Sequence, residues 1–376
     1  MKIGMFLGSA GSSSGGPERY EVELVRNLAA IDHENEYELA CLFADGPQRI
    51  GVDQDNFRYR VLQPRSRMVS MLTSLPWAML RSDAQVWHAT YVPPPFSPRG
   101  YIFTLVCSSM IEHPEFYPPL VRARLVALTR RAIAKADLII CISDHIRQVL
   151  KERLHVADER MVVCLLGVSE AFRPFDPAQS AAFVRARYGI EGPYFLFSGR
   201  WEPRKNIANI VRAFARFRAE SPHDLKLVFT GERTWAAAQT DALIAQLGLS
   251  EHVLDLGKSP VAELPMLYAG ATALVYPSLW EGFGLPIVEA MAAGLPVITS
   301  NNSSMAEIGS SAARLVDPRV VDEIAAAMVD IAGDAALRQT LRTRGLARAR
   351  LFSWRNTALQ TLDVYRRMEH VCRHAS

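Results

Sequence analysis

Short apolar runs, each followed by a loop and an amphipathic segment, recur along most of the chain. Residues 2–8 have the pattern of a buried strand, residues 9–16 form a loop rich in glycine and serine, and the next residues place apolar side chains at helical spacing. Strand, loop and helix in this order are the first unit of a doubly wound parallel sheet. Further strand-like runs that alternate with helical segments lie at residues 37–43, 58–62, 85–89, 101–107, 137–143 and 161–167.

A second series of the same kind follows an irregular stretch, residues 168–193, that is rich in proline and glycine. Its strand-like runs lie at residues 194–198, 225–231, 252–257, 271–276, 296–299 and 313–316. A chain of 376 residues also exceeds what one hydrophobic core usually serves. We therefore predict two α/β domains, residues 1–180 and 181–351, followed by a last helix within residues 352–376.

Composition narrows the class of protein. The hydrophobic content of 49% and the charged content of 22% are those of a globular protein, and a net charge of +3 is too small to indicate nucleic-acid binding. The five cysteines form no C-x-x-C pair and mostly lie in strand-like runs, which indicates buried thiols and a reducing compartment. No apolar run has the length of a signal peptide or a membrane helix. These features predict a cytoplasmic protein.

The stretch from residue 276 to residue 296 contains the strongest candidate for a binding site. Gly282 and Gly284 lie in a loop after a strand-like run, and a short helix is predicted from Pro286 to Gly294. The N–H groups of this loop and the N-terminus of the helix, which carries about half a positive charge, would point at one position. That position suits a phosphate group.

Two carboxylates, Glu281 and Glu289, flank this loop. Because a phosphate repels a carboxylate, we expect both to accept hydrogen bonds from neutral hydroxyl groups on either side of the phosphate. A ligand with hydroxyl groups on both sides of a phosphate bridge is a nucleotide sugar. Arg200 and Lys205 follow the strand-like run at residues 194–198, at the sheet edge where open α/β sheets bind ligands, and could hold the diphosphate.

The sequence Glu281-Gly-Phe-Gly-Leu-Pro-Ile-Val-Glu289 resembles the Glu-x7-Glu motif of the retaining glycosyltransferases of family 4. The upstream sequence from Gly199 through Arg200 to Lys205 resembles the donor-phosphate clamp of the same family. This resemblance implies the GT-B fold, in which two Rossmann-like domains face each other with parallel sheets across a cleft. It also implies that the last helix crosses back to the N-terminal domain.

The resemblance further implies roles for individual residues. The N-terminal domain would bind the acceptor and the C-terminal domain the donor. Glu281 would contact the donor hexose and Glu289 the ribose, while Arg200 and Lys205 would stabilise the charge on the leaving diphosphate. The other donor-binding positions would be Gly15, Gly16, Gly282, Phe283, Gly284 and Leu285.

One part of the family pattern is missing. Many relatives have a histidine, often followed by aspartate, at the end of the strand read here at residues 101–107, where this chain has Val106 and Cys107. We expect the imidazole to come from His113 in the next loop, with His88 as the alternative. The missing histidine also leaves a second hypothesis open, a regulatory protein that binds a nucleotide sugar but is impaired in catalysis.

The predicted function is the transfer of a hexose, with retained anomeric configuration, to a hydroxyl group of a glycan or lipid-linked acceptor. The motifs look most like those of bacterial mannosyltransferases of polysaccharide assembly, so GDP-mannose is the favoured donor. We expect no metal and no other cofactor, since two cations and a helix end already neutralise the diphosphate. The Asp53-Gln54-Asp55 sequence lies in a polar loop and is interpreted as solvated charge. An epimerase or a phosphorylase of similar fold stays open.

Two apolar segments with basic residues raise the question of membrane contact. Residues 68–80 carry methionines, leucines and Trp77 between arginines, and residues 118–135 contain five basic residues. Either both helices bury their apolar faces in the domain core, or they lie on an anionic membrane surface that also holds a lipid-linked acceptor.

Overall fold

The computed structural model describes residues 1–12, 15–64, 66–90, 100–235 and 237–374 and divides into two compact units. The first unit is Met1–Gly167 with Ser353–Ser376, and the second is Val168–Phe352. The predicted boundary after residue 180 is therefore too late. Phe172 already packs edge-on against Tyr268 of the second unit, with ring centroids 5.3 Å apart, so the irregular stretch belongs to the second core.

The strands described in the first unit are β1 (Lys2–Leu7), β2 (Glu36–Cys41), β3 (Phe57–Val61), β4 (Val86–Thr90), β5 (Gly100–Leu105), β6 (Leu138–Cys141) and β7 (Met161–Val163). They form one parallel sheet in the order β3-β2-β1-β4-β5-β6-β7, and β1 pairs with β2 from Lys2 opposite Glu36 to Leu7 opposite Cys41. The strand order reverses between β1 and β4, so the loops after these two strands diverge and leave a crevice between them.

Helices cover this sheet because each crossover between parallel strands must run along a face of the sheet. They are α1 (Gly16–Ile31), α2 (Gly46–Ile50), α3 (Arg67–Leu72), α4 (Ser74–Arg81), α5 (Ser109–Glu112), α6 (Pro119–Lys135) and α7 (Asp144–Leu154). The apolar segment at residues 68–80 is not one helix, because Thr73 takes a non-helical conformation between α3 and α4.

The second unit has the same construction. Its described strands are β8 (Tyr194–Ser198), β9 (Lys226–Thr230), β10 (Val253–Asp255), β11 (Ala273–Tyr276), β12 (Val297–Ser300) and β13 (Arg314–Val316). They form a parallel sheet in the order β10-β9-β8-β11-β12-β13, which reverses between β8 and β11. The helices are α8 (Pro177–Tyr188), α9 (Ile207–Glu220), α10 (Ala237–Gln246), α11 (Leu264–Gly270), α12 (Leu285–Ala292), α13 (Ser303–Gly309), α14 (Val321–Gly333) and α15 (Ala335–Ala349).

The last helix, α16 (Trp354–His374), belongs to the first unit and packs against α1. Thr357 donates its hydroxyl to the carbonyl of Leu165 at 2.7 Å. Gly167 lies where the two chain segments meet, and a Cβ at this position would stand 2.0 Å from the backbone nitrogen of Trp354. Only glycine allows so close an approach of the two backbones.

A buried polar network also ties α16 to the first sheet. His88 on β4 is fully buried, and its Nδ1 is 2.8 Å from the hydroxyl of Tyr365 on α16. Its Nε2 is 2.7 Å from the hydroxyl of Thr104 on β5, which also bonds Tyr20 on α1. Burial lowers the pKa of His88 to about 3, so the imidazole stays neutral inside the folded unit.

We expect this histidine to make the first unit sensitive to acid. The unfolded chain protonates His88 near pH 6.5, whereas the folded unit does not until about pH 3, so stability is lost as the pH falls through this window. One such proton corresponds to ~1.4 kcal/mol of unfolding free energy for each pH unit. Denaturant unfolding of the protein and of His88→Gln between pH 7 and pH 4.5 measures the difference in slope. Equal slopes would contradict the assignment of a neutral, buried His88.

Candidate functional site

A buried ion pair joins two loops at the carboxyl edge of the second sheet. Lys205 ends the 3-10 turn Pro203–Lys205 after β8, and Glu281 lies in the loop after the neighbouring strand β11. Lys205 Nζ donates to Glu281 Oε1 at 2.6 Å and to the hydroxyl of Tyr276, which donates to the same carboxylate oxygen at 3.0 Å. Arg204 Nη1 donates to Glu281 Oε2 at 3.0 Å. Both carboxylate oxygens of Glu281 therefore contact a cation.

Burial and charge together set the protonation of this cluster. Burial lowers the pKa of Lys205 to about 8, and the carboxylate of Glu281 opposes part of that effect. Burial also disfavours the ionised form of Glu281, but the charges of Lys205 and Arg204 hold its pKa at about 2. The pair is thus ionised near pH 7, and Lys205 is the member that loses its charge as the pH rises.

Further hydrogen bonds hold the two loops together. The N–H of Leu279 donates to the carbonyl of Arg204 at 2.8 Å, and Asn206 Nδ2 donates to the carbonyls of Pro277 and Pro318 at 2.9 and 2.6 Å. Asn206 has a φ of 61°, a left-handed conformation that asparagine adopts more readily than most residues. Hydrogen bonds within the protein therefore hold both loops in place without a bound ligand.

The glycine loop leads into α12, one residue before the predicted helix start. Gly284 precedes the helix with a φ of 98°, and a Cβ added there would lie 2.9 Å from Ile287 Cδ1. Gly282 and Phe283 are buried, and Leu285 is the first helical residue. The sharp turn that aims this loop at the helix N-terminus depends on glycine at position 284.

Glu289 lies inside α12, one element further along the chain than Glu281. Its side chain is buried, and Oε2 accepts a hydrogen bond from the hydroxyl of Tyr268 on α11 at 3.0 Å. Both glutamates of the predicted pair are therefore buried and hydrogen-bonded, and both follow β11 at the reversal of strand order.

The two arginines of this region differ from the sequence-based expectation. Arg200 is half-exposed, and its guanidinium pairs with Glu202 at 3.4 Å and with Glu232 at 3.1 Å. Arg204, which the sequence analysis did not single out, contacts Glu281. Its sequence position gives no indication of this contact, because the two residues are 77 positions apart.

In the first unit a buried carboxylate accepts hydrogen bonds from the backbone of the loop after β1. Glu21 on α1 is fully buried and accepts the hydroxyl of Thr90 at the end of β4. It also accepts three consecutive backbone N–H groups at 2.7–3.1 Å, those of Gly8, Ser9 and Ala10. The sequence analysis missed Glu21, which the helical periodicity places among ordinary α1 positions.

The predicted Gly15 and Gly16 lie at the start of α1, beyond the amides that Glu21 occupies. Gly15 has a φ of 77°, and no atom of the described residues lies within 4 Å of a Cβ added at either glycine. These two positions border open space, as an approach to a ligand requires.

The two histidines considered as replacements for the missing family histidine have different surroundings in the structure. His88 is enclosed, with both ring nitrogens bonded inside the core, so the alternative that it reaches a sugar is wrong. His113 lies at the edge of the α5 loop, 2.9 Å from Glu115 and stacked on Phe116 with ring centroids 4.9 Å apart. Its contact with a donor stays a prediction. The side chain of Cys107 contacts the hydroxyl of Ser109 at 3.0 Å.

Two family models match the chain. The model "Glycosyltransferase Family 4" matches residues 14–172, and "Glycosyl transferases group 1" matches residues 183–348. The O-antigen chain mannosyltransferase B of Escherichia coli is 29% identical over 369 residues, which are 93% of this chain and 95% of that protein. This chain belongs to glycosyltransferase family 4.

Solved structures support the GT-B fold of this family 4 glycosyltransferase. Sucrose-phosphate synthase from Thermosynechococcus elongatus superposes with a TM-score of 0.81 at 21% identity, over 99% of this chain and 100% of that chain. The Anabaena protein HepE, in complex with UDP and glucose, has a TM-score of 0.77 at 19% identity, over 97% and 99% of the two chains. The predicted family and fold class are thus confirmed.

The described residues contain no group of three or more histidine, cysteine, aspartate or glutamate side chains that could hold a metal ion. No helix in the same part of the chain is both long and apolar enough to cross a bilayer.

Replacing Gly284 by alanine should destabilise the second unit by about 1–2 kcal/mol. The left-handed conformation is unfavourable for a residue with a Cβ, and the new methyl group would press on Ile287. Gly333→Ala is the matched control, because its φ lies outside the left-handed region and its Cβ would meet, among the described residues, only His223 at 3.6 Å. Chemical denaturation measures the free energy of unfolding of both variants. Equal stability of the two variants would show that the loop does not need the glycine conformation.

Proposed function

We propose that this glycosyltransferase moves a hexose, with retained anomeric configuration, from a nucleotide diphosphate sugar to a hydroxyl group of a glycan or lipid-linked acceptor. The observation that carries the proposal is the buried cluster of Lys205, Arg204, Tyr276 and Glu281 at the reversal of strand order in the second unit. A fixed, largely buried cation at this edge of an open sheet is suited to an anionic ligand.

In the proposed reaction the bond between the anomeric carbon and the diphosphate oxygen breaks as the acceptor oxygen bonds the same face of that carbon. The acceptor proton passes to the departing diphosphate. Negative charge therefore grows on the diphosphate, where Lys205, Arg200 and the amides of residues 282–285 would stabilise it. For Arg200 this requires an exchange of its surface partners Glu202 and Glu232 for the ligand.

The geometry refines the proposed roles of the two glutamates. Glu281 Oε1 accepts from both Lys205 and Tyr276, so its first role is to hold the lysine in position. Oε2 accepts from Arg204 and has the capacity to accept from a hexose hydroxyl as well. Glu289, bonded to Tyr268, would accept from the ribose. Neither glutamate acts as a general base in this proposal.

We propose GDP-mannose as the donor. The support is the similarity over nearly the full chain to a mannosyltransferase of O-antigen chains. The complex of HepE with UDP and glucose makes UDP-glucose the first competitor to test. The reaction would need no metal ion or other cofactor, and it would take place in the cytoplasm, which agrees with free thiols at Cys41, Cys107, Cys141 and Cys164.

Lys205→Met should lower kcat/KM for sugar transfer by about 100-fold or more, because one preorganised donor to a developing anion contributes that much. Lys226→Met, at the amino end of β9, is the matched control and should stay within about twofold of the unchanged protein. Transfer of the radiolabelled sugar from GDP-mannose or from UDP-glucose to a lipid-linked glycan measures kcat/KM of both variants, with EDTA present and absent.

The pH dependence gives a second readout of the same lysine. With a pKa of about 8 in the free protein, Lys205 loses its charge above that pH, so kcat/KM should fall there. A preserved rate in Lys205→Met would refute the role of this cation.

Binding of a donor with neither transfer nor slow hydrolysis would favour the alternative function, a regulatory protein that binds a nucleotide sugar. The replacement of the family histidine by Val106 and Cys107 motivates this alternative.

We also propose that α3, α4 and α6 rest on an anionic membrane surface, where a lipid-linked acceptor would be held. Leu72, Trp77 and Leu80 are 64%, 53% and 61% exposed, although α4 also buries Leu75 and Met79. The α6 sequence has five basic residues and no acidic one, and its Leu120 is 87% exposed. Exposed apolar side chains beside a basic helix suit an anionic interface.

A triple variant with Leu72→Ser, Trp77→Ser and Leu80→Ser should bind vesicles of anionic phospholipid at least tenfold more weakly, because the inserted apolar area is lost. Trp235→Ser with Leu351→Ser is the matched control, since both residues are exposed but belong to the second unit. Vesicle flotation at low salt measures the fraction of each protein that stays bound to the vesicles. If the unchanged protein stays unbound under these conditions, the membrane proposal is wrong.

A further inference from the structure

A cavity of about 540 Å³ lies at the amino edge of the second sheet. Its walls include residues that directly precede β8, β9, β11 and β12, namely Pro193, Leu225, Thr272 and Pro296. The proposed donor loops follow the opposite, carboxyl ends of β8 and β11. Strands of four to five residues, at about 3.3 Å per residue, keep the two edges roughly 15 Å apart. The cavity is therefore a separate place from the donor site.

Two arginines from one helix face this cavity. Arg338 and Arg342 stand one turn apart on α15, and both line the cavity walls. Arg338 Nη1 donates to the carbonyls of Ile331 and Ala332 at 2.6 and 2.8 Å, and Arg342 Nη1 approaches the carbonyl of Gly294 at 3.4 Å. Within the described chain, neither guanidinium has a carboxylate within ion-pair distance.

The carbonyl contacts account for only part of the arginine charge. The carbonyls of Ile331 and Ala332 lie in the last turn of α14, where a helix C-terminus carries about half a negative charge, and the carbonyl of Gly294 lies two residues beyond the end of α12. These partial charges are smaller than the charges of two guanidinium groups. Among the nearby carboxylates, Asp224 pairs with Arg218 at 2.8 Å, and Asp334 caps α15 at the amide of Leu337 and forms no ion pair with either arginine in the described chain.

Like charges one helical turn apart repel each other unless an anion lies between them. A guanidinium has five N–H donors in a planar fork, and only Nη1 of each arginine is used by the carbonyls. The remaining donors match the oxygens of a phosphate group. The cavity also has the size of a small-molecule site, and the imidazole of His223 and the residue Thr272 add polar lining.

We propose that this cavity binds a phosphorylated small molecule through Arg338 and Arg342. The site is independent of the proposed glycosyl transfer, since it shares no residue with the donor loops. A ligand held here would contact the segments that lead into β11 and β12, and β11 ends at the loop of Glu281. The arginines would thus serve two purposes, as partners of two helix ends and as the anion contacts of the site.

The test uses inorganic pyrophosphate as the probe and the otherwise unchanged full chain, in which the proposed donor loops can also hold this anion. Isothermal titration calorimetry should detect a pyrophosphate site that weakens by about tenfold in Arg338→Gln and in Arg342→Gln, because a charge-assisted contact to the anion is lost. A site in the donor loops should keep its affinity in both variants. Arg344→Gln is the matched control on the same helix, where the guanidinium contacts the carbonyl of Ser311 at 3.3 Å, and should change affinity less than twofold.

Thermal unfolding without pyrophosphate separates binding from helix capping. Lower stability of Arg338→Gln and of Arg342→Gln, together with unchanged pyrophosphate affinity in both, would assign the two arginines to capping alone and overturn the proposal. Absence of any pyrophosphate site that weakens in these two variants would overturn it as well. Neither result bears on glycosyl transfer, which is measured with the unchanged protein and a sugar donor.

Discussion

The charge of Lys205 is the constraint on which the second unit depends. A lysine ammonium group that is almost fully buried is strongly unfavourable unless an anion and further acceptors surround it. Glu281 and Tyr276 meet that requirement, and Arg204 completes the cluster. Because Lys205 follows β8 and Glu281 follows β11, satisfying one charge fixes two loops at the reversal of strand order. The loops are therefore organised before any ligand arrives, which is the arrangement that electrostatic stabilisation of a reaction requires.

Periodicity and turn chemistry were sufficient to predict most elements of both sheets, since buried parallel strands and amphipathic helices leave a direct record in the sequence. The glycine loop from Gly282 to Gly284 and the position of α12 followed from the same local rules. The contacts of Arg204 and Glu21 could not be predicted, because their partners are remote in sequence or are backbone amides without a side-chain pattern. The unit boundary was misplaced for a similar reason, since the irregular stretch after Gly167 packs by tertiary contacts alone.

In both units a buried glutamate connects two loops at the reversal of strand order. In each, the loops after two neighbouring strands diverge at the reversal of strand order, and a carboxylate bridges them. Glu21 bridges the loop after β1 to Thr90 at the end of β4, and Glu281 bridges the cluster after β8 to the loop after β11. The donors of Glu21 include three backbone amides and a hydroxyl, whereas those of Glu281 include two cations and a hydroxyl.

This difference bears on which unit would take the diphosphate. In the first unit the amides of Gly8, Ser9 and Ala10, which could otherwise bind an anion, are already occupied by Glu21. A phosphate brought beside that carboxylate would be repelled. In the second unit Lys205 and Arg204 contact the buried Glu281, and Arg204 also pairs with Glu202 at 2.9 Å, so this cluster is close to charge balance. The amides of the glycine loop before α12, rather than an excess of cations, would then attract an arriving anion.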